Sequence, residues 1–163
     1  MNLFLIRHGD AENSTYGKKD FDRRLTEKGT IATMNAVSYW KRIIQNFDYI
    51  ISSPYIRSLQ TAEIIASAYN SMDKLLIENM LGCGSKLDNI ITLVNSLGGE
   101  NIACVGHQPD MSHHLSDFIS SERAEAEFKK SAIAKIIFRN KAVKGGGILE
   151  FLIPPAIFNE NLK

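Results

Sequence analysis

Two cysteines in 163 residues, Cys83 and Cys104, are too few and too far apart for a CxxC pair or a disulfide framework. That argues against a cystine-stapled scaffold and suits a reducing compartment; Cys104, inside an apolar run, reads as a small buried hydrophobe. Long hydrophobic runs are missing too. None could span a bilayer, and only five apolar residues precede Arg7, fewer than the apolar stretch of a secretory signal needs. Nor does one sign of charge dominate. Nineteen Lys and Arg against eighteen Asp and Glu leave a formal charge of +1, so nothing recommends nucleic acid or an anionic membrane as a partner. The chain is expected to be soluble, cytoplasmic and monomeric, and any specificity for anions must be local. Internal repeats, low-complexity tracts, linkers, GxxxxGK[ST] and GxGxxG are all absent.

What is present is an alternation. "LFLI" (3–6), "YIIS" (49–52), "KLLIE" (74–78) and "NIACVG" (101–106) are short apolar runs, as strands buried on both faces should be. Between them apolar residues recur at three and four: Ala36, Val37, Trp40, Ile43, Ile44 and Phe47; Leu59, Ala62, Ile65, Ala66 and Tyr69; Leu87, Ile90, Ile91, Val94 and Leu97. Thr26 is the expected N-cap of the first helix, Gly98-Gly99 the stop of the third, and Pro109 the start of a fourth. "SAIAKIIFR" and "GILEFLI" flank the turn-like "NKAVKGGG" and read as a hairpin. The expected fold is a single α/β domain over residues 1–163 in three layers. Its central sheet is mostly parallel, with helices on both faces and a C-terminal hairpin at the edge.

In such sheets ligands bind beyond the carboxyl ends of the strands. Three of these ends carry unusual residues: Arg7-His8-Gly9, then Ser52-Ser53-Pro54-Tyr55-Ile56-Arg57, then Gly106-His107-Gln108-Pro109. With Ser53 as N-cap and Pro54 as first helical residue, Arg57 falls in a first helical turn, where the dipole disfavours a cation unless an anion joins it. Two arginines and two histidines converging on one rim suit a phosphoryl group, because the guanidinium fork meets two phosphate oxygens and stays charged. His113 and His114 lie inside the fourth helix without HxxxH or carboxylate spacing. They are expected to pack or to line a rim, not to bind metal. A cysteine nucleophile would need an arginine six residues on, and Cys83 and Cys104 find Asn89 and Asp110 there.

"LIRHG", "SSPYIRSLQTAE" and "GHQP" together resemble the histidine phosphatase superfamily, which includes the phosphoglycerate mutases. With "RHGDAE", "RLTEKG" (24–29), "CGS" (83–85) and "SAIAKI" (131–136), the likeness is greatest to its SixA-type phosphohistidine phosphatases, and it runs from residue 3 to about 137. The resemblance implies His8 as nucleophile, with Arg7, Arg57 and His107 holding the phosphoryl group and no metal or other cofactor. Arg23 and Ser131 are its candidate substrate contacts. Many members also carry a carboxylate that protonates an alcohol leaving group; here Gln108 stands at one such position and only Glu78 near the other. An imidazole leaving group accepts a proton near neutrality and tolerates that loss. The short stretch between the third strand and third helix leaves no room for the insertion that caps the pocket in larger relatives. The expected activity is therefore dephosphorylation of a histidine-phosphorylated protein, such as a phosphotransfer domain, through phospho-His8. A small-molecule phosphomonoesterase and a non-catalytic phosphoprotein-binding module are the alternatives.

Overall fold

A computed structural model describes residues 1–158 apart from Lys18 and Arg123, and leaves the Phe158 side chain undescribed. The last five positions of the expected domain, 159–163, lie outside the described residues. The chain forms one α/β domain. In order along it run β1 (Asn2–Arg7), α1 (Glu27–Trp40), β2 (Tyr49–Ser52), α2 (Ile56–Ala68), β3 (Leu75–Ile77), α3 (Leu87–Leu97), β4 (Asn101–Gly106), α4 (Asp110–Ile119), β5 (Ile133–Ile137) and β6 (Ile148–Ile153). The sheet order is β3-β2-β4-β1-β5-β6. The first four strands are mutually parallel, while β5 runs antiparallel to β1 and carries β6 as the edge of a hairpin.

Period-two alternation divides β1 between two cores. Leu3 and Leu5 pack with Ile90 and Val94 of α3 and Leu115 and Phe118 of α4. Phe4 and Ile6 pack with Val37 and Trp40 of α1 and Ala62 and Ile65 of α2. All are essentially unexposed, so the runs are apolar without a break because both sheet faces are covered.

Three boundaries differ from expectation. Thr26 does cap α1, accepting the Gly29 amide, but the helix stops at Trp40. Arg42 and Ile43 then donate to carbonyls three residues back, a tightened last turn that keeps Ile44 buried while Ile43 is exposed. Ser53 is not the cap of α2. Tyr55 holds that position, and the Ser53 hydroxyl is engaged instead with His107. Pro109 precedes α4 as its cap residue, and the Gln108 side chain closes the turn by accepting the Ser112 amide at 3.2 Å. Gly98 closes α3 in the left-handed conformation, as expected.

Two glycines let α1 pass close under the end of β1. A Cβ on Gly9 would lie 2.6 Å from Thr33 Oγ1, and one on Gly29 only 2.1 Å from the carbonyl oxygen of Asp10. The long connection from β1 to α1 is partly folded, through a bridge from Ala11 to Leu25 and a 3₁₀ turn at Asp20–Asp22.

Candidate active site

Register builds the rim. Arg7 pairs with Gly106 and Ser52 with Val105, so the residues that follow β1, β2 and β4 emerge side by side. The amide of His8 continues the ladder to Gly106 O at 3.1 Å, and that of Ser53 to Val105 O at 3.0 Å. His8, Ser53 and His107 thus leave the core together, and the first turn of α2 adds Arg57.

His8 is buried, with Nδ1 2.7 Å from the carbonyl oxygen of Gly9. A carbonyl only accepts, so Nδ1 carries the proton and Nε2 keeps its lone pair. Arg57 Nε donates to that Nε2 at 3.1 Å. Burial, first of all, pushes His8 down to about 3; the Gly9 carbonyl opposes this, and His107, Arg57 and Arg7 add to it. At neutral pH the ring is uncharged.

Arg57 is itself buried, and all three of its nitrogens are engaged. Nε meets His8, Nη1 donates to Asp20 O at 2.7 Å, and Nη2 reaches Asp20 Oδ2 at 3.0 Å and Cys83 Sγ at 3.6 Å. Its guanidinium lies over the Tyr55 ring, 4.9 Å from the centroid. The Cys83 thiol is pushed up by desolvation, against the pull of Arg57 and Tyr55, and so is a poor thiolate.

His107 lies 5.2 Å from His8 and 4.8 Å from Tyr55, ring centre to ring centre. Its Nε2 is 2.7 Å from Ser53 Oγ and 3.4 Å from Ser58 Oγ. Ser53 Oγ also accepts the Tyr55 amide at 3.3 Å. His107 Nδ1 is buried and has no partner among the described residues. Desolvation and Arg57 push His107 down to about 4, although Asp110 and Asp20 pull it up.

Arg7 donates from Nη1 to Phe128 O at 2.8 Å, while its buried Nε has no partner among the described residues. Burial lowers its pKa. Arg7 also lines a concavity of about 660 Å³, together with Lys129, Lys130, Leu152 and Pro154.

Of the two further candidates, Arg23 joins the site through a neighbour. Its Nη1 binds Asp20 Oδ1 at 2.7 Å and its Nε binds Glu12 O at 2.5 Å. The Ser131 hydroxyl is buried and turned towards Thr33 Oγ1 at 2.9 Å. With φ at 56°, its amide donates instead to the carbonyls of Arg7 and His8, bracing the end of β1. Gln108 caps α4 as described, and Glu78 is placed at the end of β3 by its amide bond to Ser52 O. His114 is buried with Nε2 2.7 Å from Ser85 Oγ, in keeping with a packing role. Among the described residues, no group of three or more His, Cys, Asp or Glu could hold a metal ion.

Asp20 and Tyr55 escaped the sequence reading as site residues. Asp20 touches Arg57 across 37 positions through a loop without periodicity, and Tyr55 sits where an ordinary helix start was expected. Asp110, eight per cent exposed, accepts the amides of Gly84 and Ser85 and so ties "CGS" to α4 beside the site.

The assembled group is a neutral imidazole with a lone pair on Nε2, two arginines, and a second imidazole with an unpartnered Nδ1. It is suited to receiving a phosphoryl group and spreading its charge. The profile of the histidine phosphatase superfamily (branch 1) matches residues 3–83. The chain is 31% identical over 113 residues to an uncharacterized protein of Picosynechococcus sp., covering 68% of each. It is 23% identical over 152 residues to a phosphohistidine phosphatase SixA homolog of Haemophilus influenzae, covering 85% of this chain and 88% of that one. Its fold matches the structure of the protein histidine phosphatase SixA complexed with tungstate at a TM-score of 0.82 and 20% identity, over 96% of this chain and 99% of the other. Motifs, architecture and relatives agree that the chain belongs to the histidine phosphatase superfamily and is a phosphatase of the hydrolase class.

Proposed function

We propose that the protein is a phosphohistidine phosphatase that releases phosphate from a histidine-phosphorylated protein in two steps through phospho-His8. The observation that carries this reading is the bond from His8 Nδ1–H to Gly9 O, which puts the lone pair of a buried, uncharged ring on Nε2, where it accepts from Arg57 Nε–H until a phosphoryl group takes that place. In the first step Nε2 attacks phosphorus in line, the substrate P–N bond breaks, and its electron pair goes to the leaving imidazole. In the second step water attacks the phosphorus of phospho-His8, the new P–N bond breaks, and Nε2 regains its pair as inorganic phosphate departs. Arg7, Arg57 and His107 hold the charged oxygens throughout.

Three features support a protein-borne phosphohistidine over a phosphomonoester. An imidazole leaves without a strong general acid, and Gln108, at one of the positions where an acid would stand, is committed to capping α4. The connection from β3 to α3, residues 78–86, holds only a short 3₁₀ turn, which fits a domain without a sizeable lid and a rim open to a folded partner. A SixA homolog is among the relatives. Arg23 reaches the site through Asp20, where it would meet the substrate's flank.

The test is phosphate release from a histidine-phosphorylated protein with a chelator present, comparing wild type with His8→Ala and trapping labelled enzyme at alkaline pH. Turnover that survives chelation, disappears with His8 and leaves label on the wild-type chain is the expected result. No turnover of that substrate alongside good turnover of small phosphate esters would overturn the assignment.

A further inference from the structure

The anion partner that Arg57 requires is present within the chain. Asp20 offers Arg57 both its carbonyl and its carboxylate, so the two terminal nitrogens that fork a phosphate are both occupied by one residue. The Nε edge of the same guanidinium rests on His8. Asp20 therefore lies on the far side of the cation whose other edge meets the candidate nucleophile. It is also held in place. Arg23 grips the other carboxylate oxygen while bound to Glu12 O, and the Phe21 ring packs on Tyr55 at 5.0 Å, which in turn packs on His107. Desolvation raises the Asp20 pKa, but hydrogen bonds from Arg23 and Arg57 outweigh it and keep the group a carboxylate, which rules it out as the missing proton donor. Its side chain is about half exposed, so the carboxylate has room to swing outward.

We propose that Asp20 is a resident anion that competes with the phosphoryl group for the Arg57 guanidinium. It holds Arg57 in place while the site is empty, yields the guanidinium to the incoming phosphoryl group, and returns to help expel inorganic phosphate. It is a positioning residue. The physical reason is charge: a phosphoryl group with nearly two negative charges displaces a single carboxylate from an arginine, yet is repelled by that carboxylate as long as it stays close. The 3₁₀ turn at Asp20–Asp22 would thus serve as a tethered competitor that tunes affinity without touching the reacting atoms. This inference rests on the phosphatase reading above, but its test does not depend on turnover.

Binding of inorganic phosphate is measured by calorimetry on wild type, Asp20→Asn, Asp20→Glu and Asp22→Asn, the last removing a charge from the same turn at a residue with no bond to Arg57 in the structure. Asp20→Asn is expected to bind phosphate roughly five-fold more tightly, the size of a partly exposed charge effect, with Asp20→Glu and Asp22→Asn staying within about two-fold of wild type. In steady state Asp20→Asn should lower KM without raising kcat, because product leaves more slowly. Equal or weaker phosphate binding by Asp20→Asn, or the same gain in Asp22→Asn, would overturn the proposal. Tighter binding in Asp20→Asn by an enzyme inactive on phosphohistidine would uphold it and reject only the substrate assignment.

Discussion

Arg57 and His8 meet edge to edge, Nε–H to Nε2 at 3.1 Å, and this one bond orders the rest of the site. It requires a lone pair on Nε2, agrees with the proton on Nδ1 facing Gly9 O, and turns the terminal nitrogens of Arg57 away from His8 onto Asp20. Nucleophile and charge holder are positioned against each other before any substrate arrives.

Arg57→Lys should lower kcat/KM by roughly a hundredfold or more, the scale of losing one preorganised donor. A lysine ammonium cannot meet His8 and fork a phosphate at once. Steady-state kinetics on a histidine-phosphorylated protein checks this; a loss below tenfold would mean that Arg57 does not hold the transferring group.

Ser53→Ala strips His107 Nε2 of its nearest hydroxyl at a buried position. The expected cost is about 1–2 kcal/mol of stability, seen as a lower urea midpoint, together with slower turnover as the ring loses its fixed orientation. Unchanged turnover would separate His107 from the reaction.

The pH dependence follows from two histidines whose folded pKa values lie at about 3 and about 4, below the ordinary value of 6.5. Between those limits the unfolded chain binds more protons than the folded one. Stability contributed by the neutral rings is therefore fully present above pH 6.5 and is lost as pH falls towards 4. Each histidine contributes a slope of about 1.4 kcal/mol per pH unit in that window. Urea unfolding from pH 7 to 4.5 should show the decline, and His107→Asn should make it shallower.

Gly29→Ala should destabilise the fold by about 1–3 kcal/mol as an overpacked contact. The new methyl would collide with the Asp10 carbonyl, two residues beyond His8, so activity should fall along with the urea midpoint. Wild-type behaviour in both would mean that α1 can move away from β1 freely.

Much of this architecture is readable because local chemistry and tertiary environment agree. β2 and β4 have the ends that their apolar runs suggest, since a parallel strand buried on both faces has no polar face to blur the pattern. The Thr26 cap and the Gly98 stop are local events within one helical turn. The misreadings arise where side chains answer to distant partners. Ser53 has the form of a cap but spends its hydroxyl on His107, 54 residues away.

The amino-acid order by itself determined the alternation of strands and helices, the Thr26 start and Gly98 stop, the placing of Arg7, His8 and His107 at strand ends and that of Arg57 in a first helical turn, because periodicity and breakers act over a few residues. Only the tertiary structure decided which nitrogen of His8 carries the proton, which residue binds Arg57 and where the Ser131 hydroxyl turns. Those outcomes depend on strand register and on contacts such as Asp20 with Arg57, which no local pattern encodes.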